Sequence, residues 1–163
     1  MDLARHESAG RPSKRYRTSA DDSHLAFPPR RDDLLATLLA KALERLPVEE
    51  ARQIAEEVGL EYGRAIAARM EPTEGHRSVK AAVASVADAL TAHGFAAHTD
   101  SRNNELRIIN NHCPFGEVAM EHPVICAVDR GMVKGMLSAL YGETEPAITT
   151  SLPRGDDMCV TSF

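Results

Sequence analysis

The sequence predicts an α+β fold: an antiparallel sheet of about four strands with helices on one face, preceded by a helical dimerisation or linker region. Three apolar stripes with helical spacing lie between residues 32 and 90, and four strand-length segments follow in the last 70 residues. The 163 residues are 43% hydrophobic and 26% charged, which is typical of a soluble globular protein. A chain of this length buries enough surface to fold without disulfides.

The first and third predicted helices have clear boundaries. The first begins at Asp32, where two aspartates suit the first turn, and ends before Pro47. Its apolar residues recur at helical spacing: Leu35, Leu38, Leu39, Ala42, Leu43 and Leu46. The third runs from about Val79 to Leu90, and Gly94 follows where a C-terminal cap belongs.

The second predicted helix begins near Pro47, which suits a first helical position. One side carries the larger apolar residues: Ile54, Val58, Tyr62, Ala65, Ile66 and Met70. Gly59 and Gly63 either weaken the helix or admit a close neighbour. Gly131 and Gly135 repeat this spacing on a later helix and indicate close helix packing.

The remaining predicted elements are a pair of strands, two helices and a second pair of strands. A short helix begins at Pro114, and a longer one runs from about Pro123 to Tyr141. Turn-forming residues separate the strands of each predicted pair. The predicted strands are 95–99, 106–110, 147–152 and 158–163.

Composition divides the chain into three predicted regions: a basic arm over 1–31, a helical linker or dimerisation region over 32–75, and an α+β cysteine-bearing domain over 76–163. The arm has a net charge of +3, and the rest of the chain has a net charge of −8. No apolar run is long enough for a membrane span, and no secretory leader is evident. We therefore expect a cytoplasmic protein.

The chain has three cysteines, Cys113, Cys126 and Cys159, and all lie in its last third. In a reducing compartment, an odd number of widely spaced cysteines favours a ligand set or a redox switch over disulfides. We expect them to hold an iron–sulfur cluster or zinc, with His122 as a candidate further ligand. In the alternative interpretation each cysteine is a small buried hydrophobic residue.

Cys113 precedes a proline and is predicted to cap a helix, where free amides would favour its thiolate. A catalytic pair of Cys113 with His122 or His112 is the enzymatic alternative. No orienting third group or oxyanion motif accompanies such a pair, so we predict that the protein is not an enzyme.

The segment 10–17 places four cations and one tyrosine in eight residues without an acid. Such a cluster favours contact with the phosphates of DNA, without sequence choice. The predicted DNA-binding residues are Arg11, Lys14, Arg15 and Arg17. A solvated charged tail is the alternative.

Together these motifs resemble the ArsR/DeoR-like winged-helix regulators that carry a C-terminal cysteine-rich sensor domain. The segment 10–17 is similar to the stretch that closes their wing, and the pattern Cys113-Pro114-Phe115, His122-Pro123, Cys126 and Cys159 is similar to their sensor segment. The resemblance implies a chain that lacks most of the DNA-binding domain. It also departs from the iron–sulfur branch because no cysteine lies between Cys126 and Cys159.

The resemblance implies the sensor portion of a bacterial transcriptional regulator, acting as a homodimer that contacts DNA through a full-length context or weakly through its arm. The alternative function is a stand-alone metal- or thiol-redox-binding protein, or a truncated anti-regulator without its own DNA recognition.

Overall fold

The computed structural model describes residues 31–70, 78–102 and 105–163. Residues 1–30 of the predicted arm, with its basic residues Arg11, Lys14, Arg15 and Arg17, lie outside these ranges. Residues 32–163 form one compact unit. Its helices and strands, in chain order, are α1 (Asp32–Leu43), α2 (Val48–Ala67), α3 (Val79–Ala92), β1 (Ala97–Arg102), β2 (Glu105–Asn110), α4 (Gly116–Glu121), α5 (Cys126–Leu140), β3 (Ala147–Thr150) and β4 (Cys159–Ser162).

The four strands form one antiparallel sheet in the order β1-β2-β4-β3, and helices pack against it, so the predicted fold class is confirmed. The hairpin strands are longer than predicted. Asp100, Ser101 and Arg102 belong to β1 and pair with β2 rather than forming the turn. A 3-10 turn at Pro123–Ile125 precedes α5, and another at Leu152–Arg154 lies between β3 and β4.

Local hydrogen bonds and a glycine define the two ends of helix α3. The Ser78 hydroxyl accepts a hydrogen bond from the Ala81 amide at 3.2 Å, which satisfies one free donor of the first turn. At the other end, Gly94 adopts φ +92°, a conformation that favours glycine, and the Phe95 amide donates to the Leu90 carbonyl at 3.1 Å. The helix therefore stops where the sequence predicted.

Helices α2 and α5 approach so closely that glycines face backbone on both sides. A Cβ at Gly59 would lie 2.1 Å from the Val128 carbonyl oxygen, and one at Gly131 would lie 2.2 Å from the Glu56 oxygen. Gly63 and Gly135 are equally tight. The predicted close neighbour is thus confirmed: it is a second helix of the same chain, with a glycine pair of its own.

This close packing changes which side of α2 is buried. The buried residues are mostly small: Ala51, Ala55, Gly59, Gly63, Ile66 and Ala67. Ile54, Val58 and Tyr62 of the predicted apolar side are exposed. Ile66 of the same predicted side is buried in the core and Met70 packs against it, so the prediction holds only near the end of the helix. The hydrophobic core lies instead where α3, α5 and the sheet meet, with Val83, Leu90, Ile108, Met136 and Leu137 at its centre.

Candidate functional site

The three cysteines lie at the ends of three elements. Cys113 follows β2, Cys126 is the first residue of α5, and Cys159 is the first residue of β4. Each is a free thiol and each is partly buried. Charge on one thiol influences the others, since Cys159 and Cys113 both raise the pKa of Cys126. The charges of the three thiols therefore influence one another, and their role as one ligand set stays a prediction.

The sheet register directs two polar side chains towards this environment. Asn110 and Cys159 are paired across β2 and β4, so their side chains lie on the same face of the sheet, about 5 Å apart at Cβ. Ile108, two residues earlier on β2, is fully buried in the core on that face. Asn110 and Cys159 therefore point towards the helices.

Asp129, in the first turn of α5, accepts a hydrogen bond from the Asn110 side chain. The Asn110 Nδ2 group donates to Asp129 Oδ2 at 3.5 Å, and both residues are buried. Burial raises the pKa of Asp129 to about 7, although the bond from Asn110 opposes this. The Oδ1 atoms of Asp129 and Asn110 are buried without a hydrogen-bond partner. Near neutral pH, this carboxyl group is divided between its charged and neutral forms.

The thiols are held mainly in their neutral form. Burial raises the pKa of Cys126 to about 11, helped by the charges of Cys159, Asp129 and Cys113, and opposed by Arg154. Burial also raises the pKa of Cys159, although the Leu152 amide donates to its sulfur at 3.4 Å. Such thiols are poor nucleophiles at neutral pH.

The position of Cys113 and the pKa of its thiol both differ from the prediction. The residue at the N-cap of α4 is Phe115, and the carbonyl of Cys113 accepts from the Gly116 amide at 3.1 Å. Amide bonds from Phe115 and Gly116 lower the pKa of Cys113, but burial outweighs them and the pKa is raised. The prediction of a helix-capping cysteine that ionises readily is therefore wrong, because desolvation exceeds the effect of the free amides.

The predicted metal centre is not assembled in the part of the chain that the structure describes. No three His, Cys, Asp or Glu side chains converge there closely enough to hold a metal ion. His122 is buried, and its Nδ1 lies 2.6 Å from Glu44 Oε1, just beyond α1. Its Nε2 has no hydrogen-bond partner. The imidazole therefore joins α1 to the start of the 3-10 turn at Pro123–Ile125.

A cavity of about 740 Å³ opens beside Cys126, between the ends of α1, α2 and α5 and the strand β3. Ser151 and Arg154, from the loop before β4, also line it. Most of its wall is apolar, formed by Leu43, Leu46, Val48, Ala51, Pro123, Val124, Ala127, Pro146, Ala147 and Ile148. Sequence reasoning missed this cavity. The available signal was Leu46 and Val48, which flank Pro47 where a helix ends.

An ion-pair network fixes one side of the cavity. Arg130 of α5 donates to Glu56 at 3.0 Å, and its Nε donates to the Pro146 carbonyl at 2.9 Å. Lys134 bridges the same Glu56 and Glu145, with distances of 3.4 and 2.8 Å. These contacts tie α2, α5 and the segment before β3 together. The charges on this side are therefore paired within the protein.

Comparison with known proteins gives a family for this chain. Residues 28–163 match the family model described as methanogen output domain 1. No curated protein gives a significant match. A similar solved structure is a trafficking protein particle complex subunit 3 from Naegleria fowleri, covalently bound to palmitic acid. It shares 18% identity and a TM-score of 0.51, over 80% of this chain and 94% of that one.

These matches correct the resemblance drawn from the motifs. The family model covers the region compared with ArsR/DeoR-like sensor domains, and the structural neighbour is a trafficking subunit. The expectations of a winged-helix relationship, DNA binding and a transcriptional sensor are therefore wrong. The alternative, a stand-alone metal or redox protein or an anti-regulator, gains no support either. Among the described residues, no helix has the length and apolarity needed to cross a bilayer.

Proposed function

The chain belongs to the methanogen output domain 1 family, and we propose that it is an output domain controlled by a small molecule with an apolar body and an anionic head. The observation that carries this proposal is the cavity beside Cys126. Ligand pockets in proteins generally measure about 300–1,000 Å³ and have largely apolar walls with a few polar groups. A volume of about 740 Å³ and an apolar wall meet both conditions.

The anionic head is assigned to the mouth, where Arg154 is exposed. Arg154 and Cys126 line the same cavity, and the charge of Arg154 lowers the pKa of Cys126, although burial outweighs this effect. Arg130, by contrast, is already paired with Glu56 and Glu145. A carboxylate at the mouth would therefore meet Arg154, while an apolar chain extends between Val124 and Ile148.

An acyl chain is the ligand class that we propose. The trafficking subunit with a similar fold is described as covalently bound to palmitic acid. In this chain we propose reversible binding, because a thiol with a pKa of about 11 is almost entirely protonated at neutral pH. We accordingly propose a binding role and not a catalytic one for Cys126. We also propose that the protein acts in the cytoplasm as a homodimer.

The cofactor expected at the cysteines, an iron–sulfur cluster or zinc, remains a separate proposal. Its support is that the charge of Asp129 raises the pKa of all three thiols, and that the buried Oδ1 of Asp129 lacks a hydrogen-bond partner. Side chains would have to rotate to bring three donors together. Metal analysis and an absorption spectrum after anaerobic purification test it: at least about one metal per chain, lost in Cys113→Ser, supports the cofactor, and metal-free protein refutes it.

Calorimetric titration of the full chain with palmitate tests the ligand proposal. We expect saturable binding with one molecule per chain and a rise in melting temperature with ligand concentration. Ala127→Phe should remove binding by filling the cavity, whereas Ala139→Phe, on the exposed side of the same helix, should not. Arg154→Ala should weaken palmitate binding more than Arg45→Ala, which changes a cation outside the cavity. Equal affinity in all four variants would refute the proposal.

A further inference from the structure

Helix α1 rests on the remainder of the fold through a small contact. Of its twelve residues only Ala40 is buried, and the helix lies mainly against α4 and the 3-10 turn at Pro123–Ile125. A groove of about 480 Å³ lies between the first turns of α1 and α4, and the ligand cavity opens beside the last residues of α1. Protein atoms on opposite sides of a cavity make no contact across it, so both ends of α1 gain little dispersion attraction.

A contact between Glu44 and His122 holds the end of α1 in place. A carboxylate can only accept hydrogen bonds, so His122 Nδ1 donates to Glu44 Oε1 at 2.6 Å. The imidazole is only 6% exposed, whereas the Glu44 side chain is 47% exposed. Beyond Glu44, a short turn that ends at Pro47 joins α1 to α2, whose glycines pack against the backbone of α5. A lightly packed helix is therefore attached to a closely packed pair of helices.

The same end of α1 forms part of the ligand cavity. Leu43, Glu44 and Leu46 line the cavity together with Pro123 and Val124, against which this end of the chain lies. Leu43 and Leu46 are half-buried. An acyl chain in the cavity would contact these two leucines only while α1 is docked on the fold. A ligand favours the state with which it makes the better contacts, so an acyl ligand would favour docked α1.

We propose that α1 is the element that the ligand controls: α1 undocks in a minor state, and an acyl ligand in the cavity holds it docked. The contact between Glu44 and His122 sets how often α1 opens. A segment with few buried contacts opens at a lower free energy than the whole fold, and a minor population of about 1–10% is enough for such control. This proposal rests on the proposed function, because it describes how the ligand of that cavity would change the output.

Hydrogen exchange of backbone amides in the full chain, followed by nuclear magnetic resonance with and without palmitate, tests the proposal. Without palmitate, the amides of residues 38–43 should exchange faster than the amide of Leu137 in the core, because α1 opens alone. Palmitate at about 100 times its dissociation constant should slow the α1 amides between about 10-fold and 100-fold, the upper value applying if undocking releases the ligand altogether. Strand β1 contributes no residue to the cavity wall, so its amides should change less.

A pair of Glu44 variants tests the contact that holds α1. Glu44→Gln and Glu44→Ala both remove a negative charge from the cavity wall, but only the glutamine can still accept the hydrogen bond from His122. Relative to Glu44→Gln, Glu44→Ala should speed exchange of the α1 amides about tenfold and weaken palmitate binding about twofold to threefold, because the docked fraction falls. Lys41→Ala is the matched control within α1, since Lys41 is exposed and lies outside the cavity wall, and it should change neither quantity.

Separate results would overturn this proposal and the proposed function. Palmitate binding with unchanged exchange of the α1 amides would overturn this proposal and leave the proposed function intact. The same holds if the α1 amides exchange as slowly as that of Leu137 without palmitate, since α1 would then open only with the whole fold. Equal exchange in Glu44→Ala and Glu44→Gln would refute the role of the contact with His122. An absence of palmitate binding in calorimetry would overturn the proposed function, and this proposal with it.

Discussion

Replacing Gly131 by alanine should destabilise the fold although alanine is the better helix former. The new Cβ would lie 2.2 Å from the Glu56 carbonyl oxygen and 2.9 Å from the Leu60 nitrogen. Both are backbone atoms of α2, so a side-chain rotation cannot relieve either clash. Relief to an ordinary contact of about 3.4 Å requires α2 and α5 to separate locally by about 1.2 Å.

The magnitude follows from two opposing effects. Alanine in a helix interior is more favourable than glycine by about 1 kcal/mol. Overpacking usually costs about 1–3 kcal/mol, and a gap of 0.5–1 Å elsewhere along an interface forfeits roughly a quarter to a half of its dispersion attraction. Because the clash is with backbone, we place the gross cost at or slightly above the upper end of that range. The net loss should be about 2 kcal/mol.

Urea unfolding followed by far-ultraviolet circular dichroism measures this difference. Ala139→Gly is the matched control, because Ala139 is exposed on α5 and its change should cost only the helix propensity, about 1 kcal/mol. A Gly131→Ala variant more stable than the wild type by about 1 kcal/mol would show that propensity alone operates. The close α2–α5 contact would then be refuted.

Three further predictions concern buried polar groups. Folding raises the pKa of Asp129 from 3.8 to about 7, so the folded protein should lose stability as pH rises from about 4 to 7, and Asp129→Asn should flatten that dependence in urea midpoints measured across this range. Cys126 should react with iodoacetamide at pH 7.5 about 100-fold more slowly than a thiol of pKa 9, as mass spectrometry of timed samples would show, and a rate equal to that of a model thiol would contradict its burial. Removing the partner of His122 with Glu44→Ala should cost about 1–3 kcal/mol, and a double-mutant cycle with His122→Ala that gives no coupling would disprove the contact.

Apolar periodicity predicted the helices because each one needs a buried face, and it predicted their order and the sheet. It could not identify the buried face where that face is made of small residues. On α2 the large apolar residues Ile54 and Val58 mark the solvent side, while Gly59 and Gly63 mark the packed side. A hydrophobicity pattern detects large apolar side chains. Two helix backbones pack closely only where side chains are very small or absent, so the pattern does not detect that face.

The candidate site was predictable only in part. The three cysteines lie at the ends of elements, where the sequence predicted two of them, but their role as one ligand set stays a prediction. The partners Asn110 and Asp129, and the contact between Glu44 and His122, join residues 19 and 78 positions apart. No local pattern encodes such pairs. The cavity was missed for the same reason, since its wall is assembled from α1, α2, α5 and β3.

Nuclear magnetic resonance of the full chain titrated with palmitate tests the central proposal most directly. We predict that palmitate changes the chemical shifts of backbone amides only at the cavity wall, including Cys126, Ala127 and Ile148. The amide of Ala139 should be unaffected. Saturation should occur at one palmitate per chain. Shifts centred on Leu34 to Leu39 of α1, or no shifts at the cavity wall, would contradict the proposal that this cavity is the ligand site.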